Sequence, residues 1–236
     1  MPGVNLALTS QDLFTDYELA KVVMAAKRSN LRFAIIGVAP FSLHYDMSKS
    51  VNRYRTLAYY PIINSLHNFE FNMGDFFKLF TSTYFDSFES FSTELKFPQR
   101  LLCDSQDKYM DVNDYIEIRK RLRDWDDKSY PETVVENKEI LRAYITDCVN
   151  NDVVPIFVIF PITQWYNKFF SHLKMSELKN YLNEILNDFS VPFLDLSADN
   201  RFSVNDFFDV EHLNIRGAEK ASRILNDFVL QLELVK

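Results

Sequence analysis

The chain has 236 residues and a formal net charge of -7 at pH 7, with 47% hydrophobic and 25% charged residues. This composition is typical of a folded globular protein, and the length suits one large domain or two small ones. The negative charge argues against a nucleic-acid partner, because such binding needs a basic surface. With only 4 glycines and no glycine-rich phosphate loop, nucleotide binding by that route is also excluded.

Cysteine and histidine are too scattered for the common kinds of structural or metal site. Cys103 and Cys148 cannot form a disulfide framework, and they favour a reducing compartment. The 4 histidines form no HExxH pattern or close His/Cys cluster, so we expect no metal and no cofactor. We also expect no membrane span and no secretory leader in these residues. The chain as it stands would be cytoplasmic, whereas an upstream signal or anchor would place it in the cell envelope.

Four short apolar runs are typical of buried parallel strands. They lack the alternation of polar and apolar residues, as expected when helices cover both faces of a sheet. The runs are residues 4–8, 31–39, 153–160 and 191–196.

Amphipathic segments separate these runs and predict helices. Thr9 and Ser10 could cap the first helix, and further helices are predicted at 134–149, 176–189 and about 215–232. The alternation of strands and helices predicts an α/β fold of three layers, with a parallel sheet between helices.

Residues 42–130 do not fit this alternation. They include an aromatic-rich stretch at 76–91 and a polar stretch at 104–115. The segment is too apolar for a disordered linker, so we predict a mostly helical insertion after the carboxyl end of a strand. The insertion could form a lid, offer a surface to a partner, or simply pack against the core. Residues 1–236 then form a single α/β domain that carries this insertion.

Asp209 and His212 lie three residues apart, just before the last predicted helix. A histidine that acts as general base toward a serine needs an acceptor for its second ring nitrogen, and a carboxylate supplies one. Asn214 would cap the following helix, and Gly217 would let its first turn pack closely. Alternatively, Asp209 only caps a turn and His212 only packs. The position between the last strand and the last helix favours an acid–base pair.

Residues 209–217, D-V-E-H-L-N-I-R-G, resemble the last motif of the SGNH hydrolases, the flavodoxin-like serine esterases and acyltransferases. Residues 4–12, V-N-L-A-L-T-S-Q-D, are similar to that family's second strand and oxyanion turn. Residues 160–169 also look like a segment of the D-alanyl-transfer proteins of teichoic-acid synthesis. The resemblance implies an SGNH-type, flavodoxin-like fold, with Asp209 holding His212 as general base. It also implies an ester substrate, either an acylated carbohydrate or a cell-surface glycan.

Candidate oxyanion and binding residues follow the carboxyl ends of three predicted strands. Because these ends meet at one edge of a parallel sheet, we expect the side chains to line one pocket. Tyrosine and tryptophan at such positions serve equally well to close a core. The candidates are Ser10, Gln11, Ser42, Gln164, Trp165 and Tyr166.

The nucleophile is the weakest part of the resemblance. In SGNH hydrolases a serine ends the first strand, and no residues before Val4 supply that strand here. We therefore expect a chain truncated before its nucleophile and nearly inactive as it stands. Ser10 at a strand-to-helix turn is the alternative nucleophile, although a cap of the helix is the favoured role for it.

A non-catalytic SGNH-fold binding or scaffold protein is the alternative function. The aromatic insertion would then hold a glycan or a protein partner. A sheet edge left open by the missing strand could pair two copies of the chain into a homodimer.

Overall fold

The structure, a computed structural model, describes residues 3–7, 11–26, 31–70, 72–75, 77, 118–120, 122, 130–170 and 172–234. The helices with defined bounds are α1 (Leu13–Ala25), α2 (Thr56–Ile63), α3 (Pro131–Asn150), α4 (Gln164–Phe169), α5 (His172–Phe189) and α6 (Ile215–Leu234). The strands are β1 (Phe33–Val38), β2 (Val154–Ile159) and β3 (Phe193–Asp195).

The strands form a parallel sheet in the order β1-β2-β3. Val38 lies opposite Ile159 in the β1–β2 pair, and Ile159 lies opposite Asp195 in the β2–β3 pair. Parallel neighbours need long crossovers, which α3 provides between β1 and β2, and α4 with α5 between β2 and β3. The predicted α/β architecture with a parallel sheet is confirmed in this form.

One face of the sheet carries the larger hydrophobic core. Helices α1, α3 and α5 cover this face, and their apolar stripes meet the buried side chains of Phe157 and Ile159. Cys148 of α3 is part of this core, and burial raises the pKa of its thiol to about 12. The fully buried helical side chains in this cluster are Leu141, Ile145, Cys148, Leu178, Leu182 and Ile185.

The other face is covered mainly by α6. Val229 of α6 packs with Ile156 and Val158 of the central strand. Ile35 of β1 is 38% exposed, as expected where a helix does not reach the edge of the sheet. Helices therefore lie on both faces, but their cover over β1 is incomplete among the described residues.

The predicted strand at residues 4–8 is not found, because residues 3–7 have no strand pairing. Leu8 and the predicted caps Thr9 and Ser10 lie outside the described residues. Asp12 is the N-cap of α1, since its carboxylate accepts a hydrogen bond from the N–H of Thr15. In the flavodoxin-like strand order 2-1-3-4-5, a second strand pairs with the first and not with the third. A strand formed by residues 4–8 in this second position would pair with the first strand, and not with β1, β2 or β3.

The first part of the predicted insertion packs against the core. After β1 the chain forms short 3-10 helices at Ser42–His44, Met47–Lys49 and Arg53–Arg55, followed by α2. Asn137 of α3 is buried and donates hydrogen bonds to the carbonyl groups at the first of these turns, including that of Leu43 at 3.1 Å. Most of the aromatic-rich stretch and all of the polar stretch lie outside the described residues.

Candidate functional site

A cleft of about 270 Å³ opens at the carboxyl ends of β1 and β2. Its walls come from the residues that follow these strands, from the start of α1 and from the loop before α6. Ligands in α/β folds bind at this edge of the sheet. The polar side chains in its lining include Gln11, Asp12, Asp16, Ser42, Glu211 and His212.

Asp209 holds the imidazole of His212 at the rim of this cleft. The Nδ1 atom of His212 lies 3.0 and 2.9 Å from the two carboxylate oxygens. The same carboxylate accepts hydrogen bonds from the backbone N–H groups of Glu211 and His212. Asp209 therefore caps the turn and orients the ring at once, although the sequence analysis treated these roles as alternatives. With the proton on Nδ1, Nε2 is the ring nitrogen that can accept one.

The Asp209 carboxylate is ionised over the whole working range of pH. Burial alone would raise its pKa, but hydrogen bonds from His212, the imidazole charge and two backbone N–H groups outweigh burial and lower it to about 2. The side chain of His212 is 59% exposed, so its ring is accessible from solvent. An oriented, accessible imidazole beside a fixed carboxylate has the geometry that a general base requires.

The loop that carries His212 is anchored by the start of α6. The side-chain oxygen of Asn214 accepts a hydrogen bond from the N–H of Gly217, which confirms the predicted cap. A Cβ atom at Gly217 would lie 2.0 Å from the carbonyl oxygen of Asp206, so the predicted close approach is also confirmed. Only glycine lets α6 begin this near to the preceding turn, and that contact positions the loop.

Asp16 is a cleft residue that the sequence analysis missed. It lies one helical turn after Asp12 on α1, and both side chains line the cleft. Burial, helped by the charge of Asp12, raises the pKa of Asp16 to about 7. A carboxyl group that titrates near neutral pH in a cleft can donate or accept a proton there. The sequence feature that could have indicated this site is the spacing of Asp12 and Asp16, four positions apart at the start of a predicted helix.

Three of the other predicted site residues line the same cleft: Gln11, Ser42 and Tyr166. The hydroxyl oxygen of Ser42 accepts a hydrogen bond from the N–H of Ala39, which fixes its side chain just past β1. Tyr166 is buried beneath the loop before α6. The oxyanion candidate Ser10 lies outside the described residues.

The remaining candidates lie away from the cleft lining. Trp165 is buried with Phe170 and Val210 in the apolar cluster that also includes Tyr166, so its ring closes a core beside the cleft. Gln164 is exposed at the first position of α4. Thr163 links this helix to the His212 loop, because its hydroxyl donates to the carbonyl of Val210 at 2.7 Å.

The chain matches no protein-family model and no curated protein sequence. The likeness to SGNH hydrolases therefore stays a prediction that rests on the residues themselves. In the part of the chain that the structure describes, no helix combines the length and apolar character needed to cross a membrane.

Proposed function

We propose that this chain is an SGNH-like ester hydrolase or O-acyltransferase domain that acts on an acylated carbohydrate or cell-surface glycan. The observation that carries the proposal is the Asp209–His212 pair at the rim of the cleft. The substrate class comes from the resemblance, whereas the acid–base chemistry comes from the geometry of the pair.

In this mechanism His212 acts as the general base. Its Nε2 takes the proton of a serine hydroxyl while the serine oxygen bonds to the acyl carbon of the ester. The imidazolium then gives that proton to the departing sugar oxygen as the ester bond breaks. In the second half, water or an acceptor hydroxyl attacks the acyl-serine while Nε2 takes its proton. The imidazolium then gives that proton to the serine oxygen as the acyl–serine bond breaks. Asp209 stabilises the imidazolium in both halves and stays ionised itself.

Three positions compete for the nucleophilic serine. Ser42 lines the cleft beside β1. Ser10 precedes α1 and lies outside the described residues. The third position is implied by the resemblance, which assigns the serine to an added strand beside β1. The partly uncovered Ile35 of β1 is compatible with such a neighbour.

The test is labelling with a fluorophosphonate probe, followed by peptide mapping of the adduct. It should use this chain, and also this chain joined to any residues that precede it in its gene. We expect an adduct on one serine whose formation slows by about 1,000-fold or more in His212→Ala, because the general base is then lost. The mapped peptide decides among the three serines.

His44→Ala is the matched control for this experiment. His44, like His212, is bonded to a carboxylate, with Nε2 2.8 Å from Glu177, but it is buried and is not in the cleft lining. Labelling should survive in this variant. If no serine is labelled in either form of the chain, the hydrolase proposal fails and a non-catalytic binding protein is the function that remains.

A further inference from the structure

A second histidine–carboxylate cluster lies near the start of α1, apart from the His212 loop. Asp12, Asp46 and His67 bring one donor atom each to within 4.8 Å of one another. The two aspartates are 5% and 1% exposed, and the side chain of His67 is 8% exposed. The three residues come from the N-cap of α1, from the turns after β1 and from the segment after α2.

The His67 ring is held with one nitrogen turned into this cluster. Its Nε2 lies 2.9 Å from a carboxylate oxygen of Glu136. The ring of Phe14 stacks on the imidazole, with 4.0 Å between the centroids and 4° between the planes. Among the described residues the buried Nδ1 has no hydrogen-bond partner, and it faces Asp46 at 3.6 Å. A buried ring nitrogen without a hydrogen bond is rare in folded proteins and calls for an explanation.

The two aspartates are oriented by hydrogen bonds that leave acceptor capacity. The carboxylate oxygens of Asp12 accept from the N–H groups of Thr15 and Met47 at 2.9 and 2.8 Å. One oxygen of Asp46 accepts from both the N–H and the hydroxyl of Ser48, and the other accepts from Asn68 at 3.1 Å, so three acceptor sites of this carboxylate are used. A carboxylate has about four acceptor sites, so each aspartate can still bind a cation.

The charge of the cluster also favours a cation. Asp12, Asp46 and Glu136 supply three carboxyl groups around His67. The nearest lysine ammonium is that of Lys49, 3.6 Å from Asp46, and it is shared with Glu132 at the same distance. A divalent ion would offset negative charge that one lysine leaves in place.

We propose that Asp12, Asp46 and His67 bind one divalent transition-metal ion, of the class of Zn²⁺ or Mn²⁺. Imidazole and carboxylate together suit such ions, and a carboxylate on the second ring nitrogen is the usual support for a ligating histidine. Bonds of about 2.0–2.2 Å place tetrahedral ligand atoms about 3.3–3.6 Å apart, so donor atoms within 4.8 Å of one another have to close by up to about 1.5 Å when the ion binds. Asp12 also lines the cleft, which provides a path of entry. This site is independent of the proposed acyl chemistry.

The test is a Zn²⁺ titration by isothermal calorimetry on chelator-treated protein. Asp209, Glu211 and His212 also bring donor atoms together at the cleft, so every protein in the series carries His212→Gln. We expect one bound equivalent in the full chain with this single change. Adding Glu136→Gln should weaken binding by about 10–100-fold, because the ring loses its support. Adding His67→Gln should weaken it by at least about 100-fold.

His44→Gln is the matched control, since His44 lies outside both donor groups found among the described residues. Affinity should not change in this variant. X-ray absorption of the zinc-loaded His212→Gln protein gives a second readout that does not depend on the folding of His67→Gln, and it should show one imidazole with oxygen ligands. Absence of a bound equivalent, or equal affinity in His67→Gln and His44→Gln, would overturn the metal site. The cluster would then be an imidazolium held between two carboxylates.

Discussion

The two histidine clusters use the same residue types in opposite surroundings. His212 is hydrogen-bonded to Asp209, lines the cleft and is 59% exposed. His67 lies between Asp46 and Glu136, is stacked on an aromatic ring and is 8% exposed. In both clusters a ring nitrogen lies within hydrogen-bond distance of a carboxylate oxygen. What differs is the surroundings of the ring: an open cleft in one case and buried carboxyl groups in the other.

We infer that this difference suits His212 to proton transfer and His67 to the binding of a cation. An imidazole that substrate can reach can accept a proton and pass it on. An imidazole enclosed by acids is stabilised when it is positively charged or when it helps to bind a metal. Burial alone would lower the pKa of His67, but the close approach and negative charge of Asp46, together with the hydrogen bond and charge of Glu136, outweigh burial and raise it. We infer that accessibility, more than the choice of partner, sets the role of each pair.

The largest expected effect is on stability, and it should fall on the buried cluster. His67→Ala removes the imidazole that lies between the buried Asp46 carboxylate and Glu136, so we expect a loss of about 3 kcal/mol in the free energy of unfolding. His212→Ala removes a half-exposed ion pair and should cost less than about 1 kcal/mol. Urea denaturation followed by circular dichroism measures both values. Equal losses would show that the two clusters do not differ as proposed.

A smaller effect is expected from Gly217→Ala, which should displace the loop that carries Asp209 and His212. The added methyl group meets the carbonyl oxygen of Asp206, and we expect a net loss of about 2 kcal/mol after the gain in helix propensity. The displaced loop should slow fluorophosphonate labelling, while Zn²⁺ binding at the buried cluster in the His212→Gln background stays unchanged. Ala218→Gly in the same turn is a control that adds no atoms. Labelling at the original rate in Gly217→Ala would contradict the anchoring role of this contact.

The smallest expected effect is a change in pH dependence from Asp209→Asn. The folded pKa of Asp209 is about 2, below its ordinary value of 3.8, so the ionised form stabilises the fold. That contribution is complete above about pH 5 and is lost as the pH falls through 2, and because the partner imidazole is 59% exposed we expect a total of about 1 kcal/mol. The variant should therefore lose less stability between pH 4 and 2 than the parent chain. Acid titration at fixed urea concentration measures the two slopes, and identical slopes would contradict the lowered pKa.

Local patterns were enough for most of the helices and strands. The apolar spacing predicted α1, α3, α5 and α6 to within a few residues, because one face of each helix must be buried. Short apolar runs predicted all three observed strands for the same reason. The run at residues 4–8 failed because a strand also needs a neighbour with which to pair, and apolar character does not supply one.

The sequence by itself also determined the contact between Asp209 and His212. Both residues belong to one turn, and their separation of three positions already brings carboxylate and imidazole together. Only the tertiary structure decided that Asp12, Asp46 and His67 meet, since these residues come from segments joined by packing between α1, α2 and α3. It also decided the raised pKa of Asp16. Burial and long-range contacts depend on how the segments pack together, whereas a contact within one turn depends only on residues that are already neighbours.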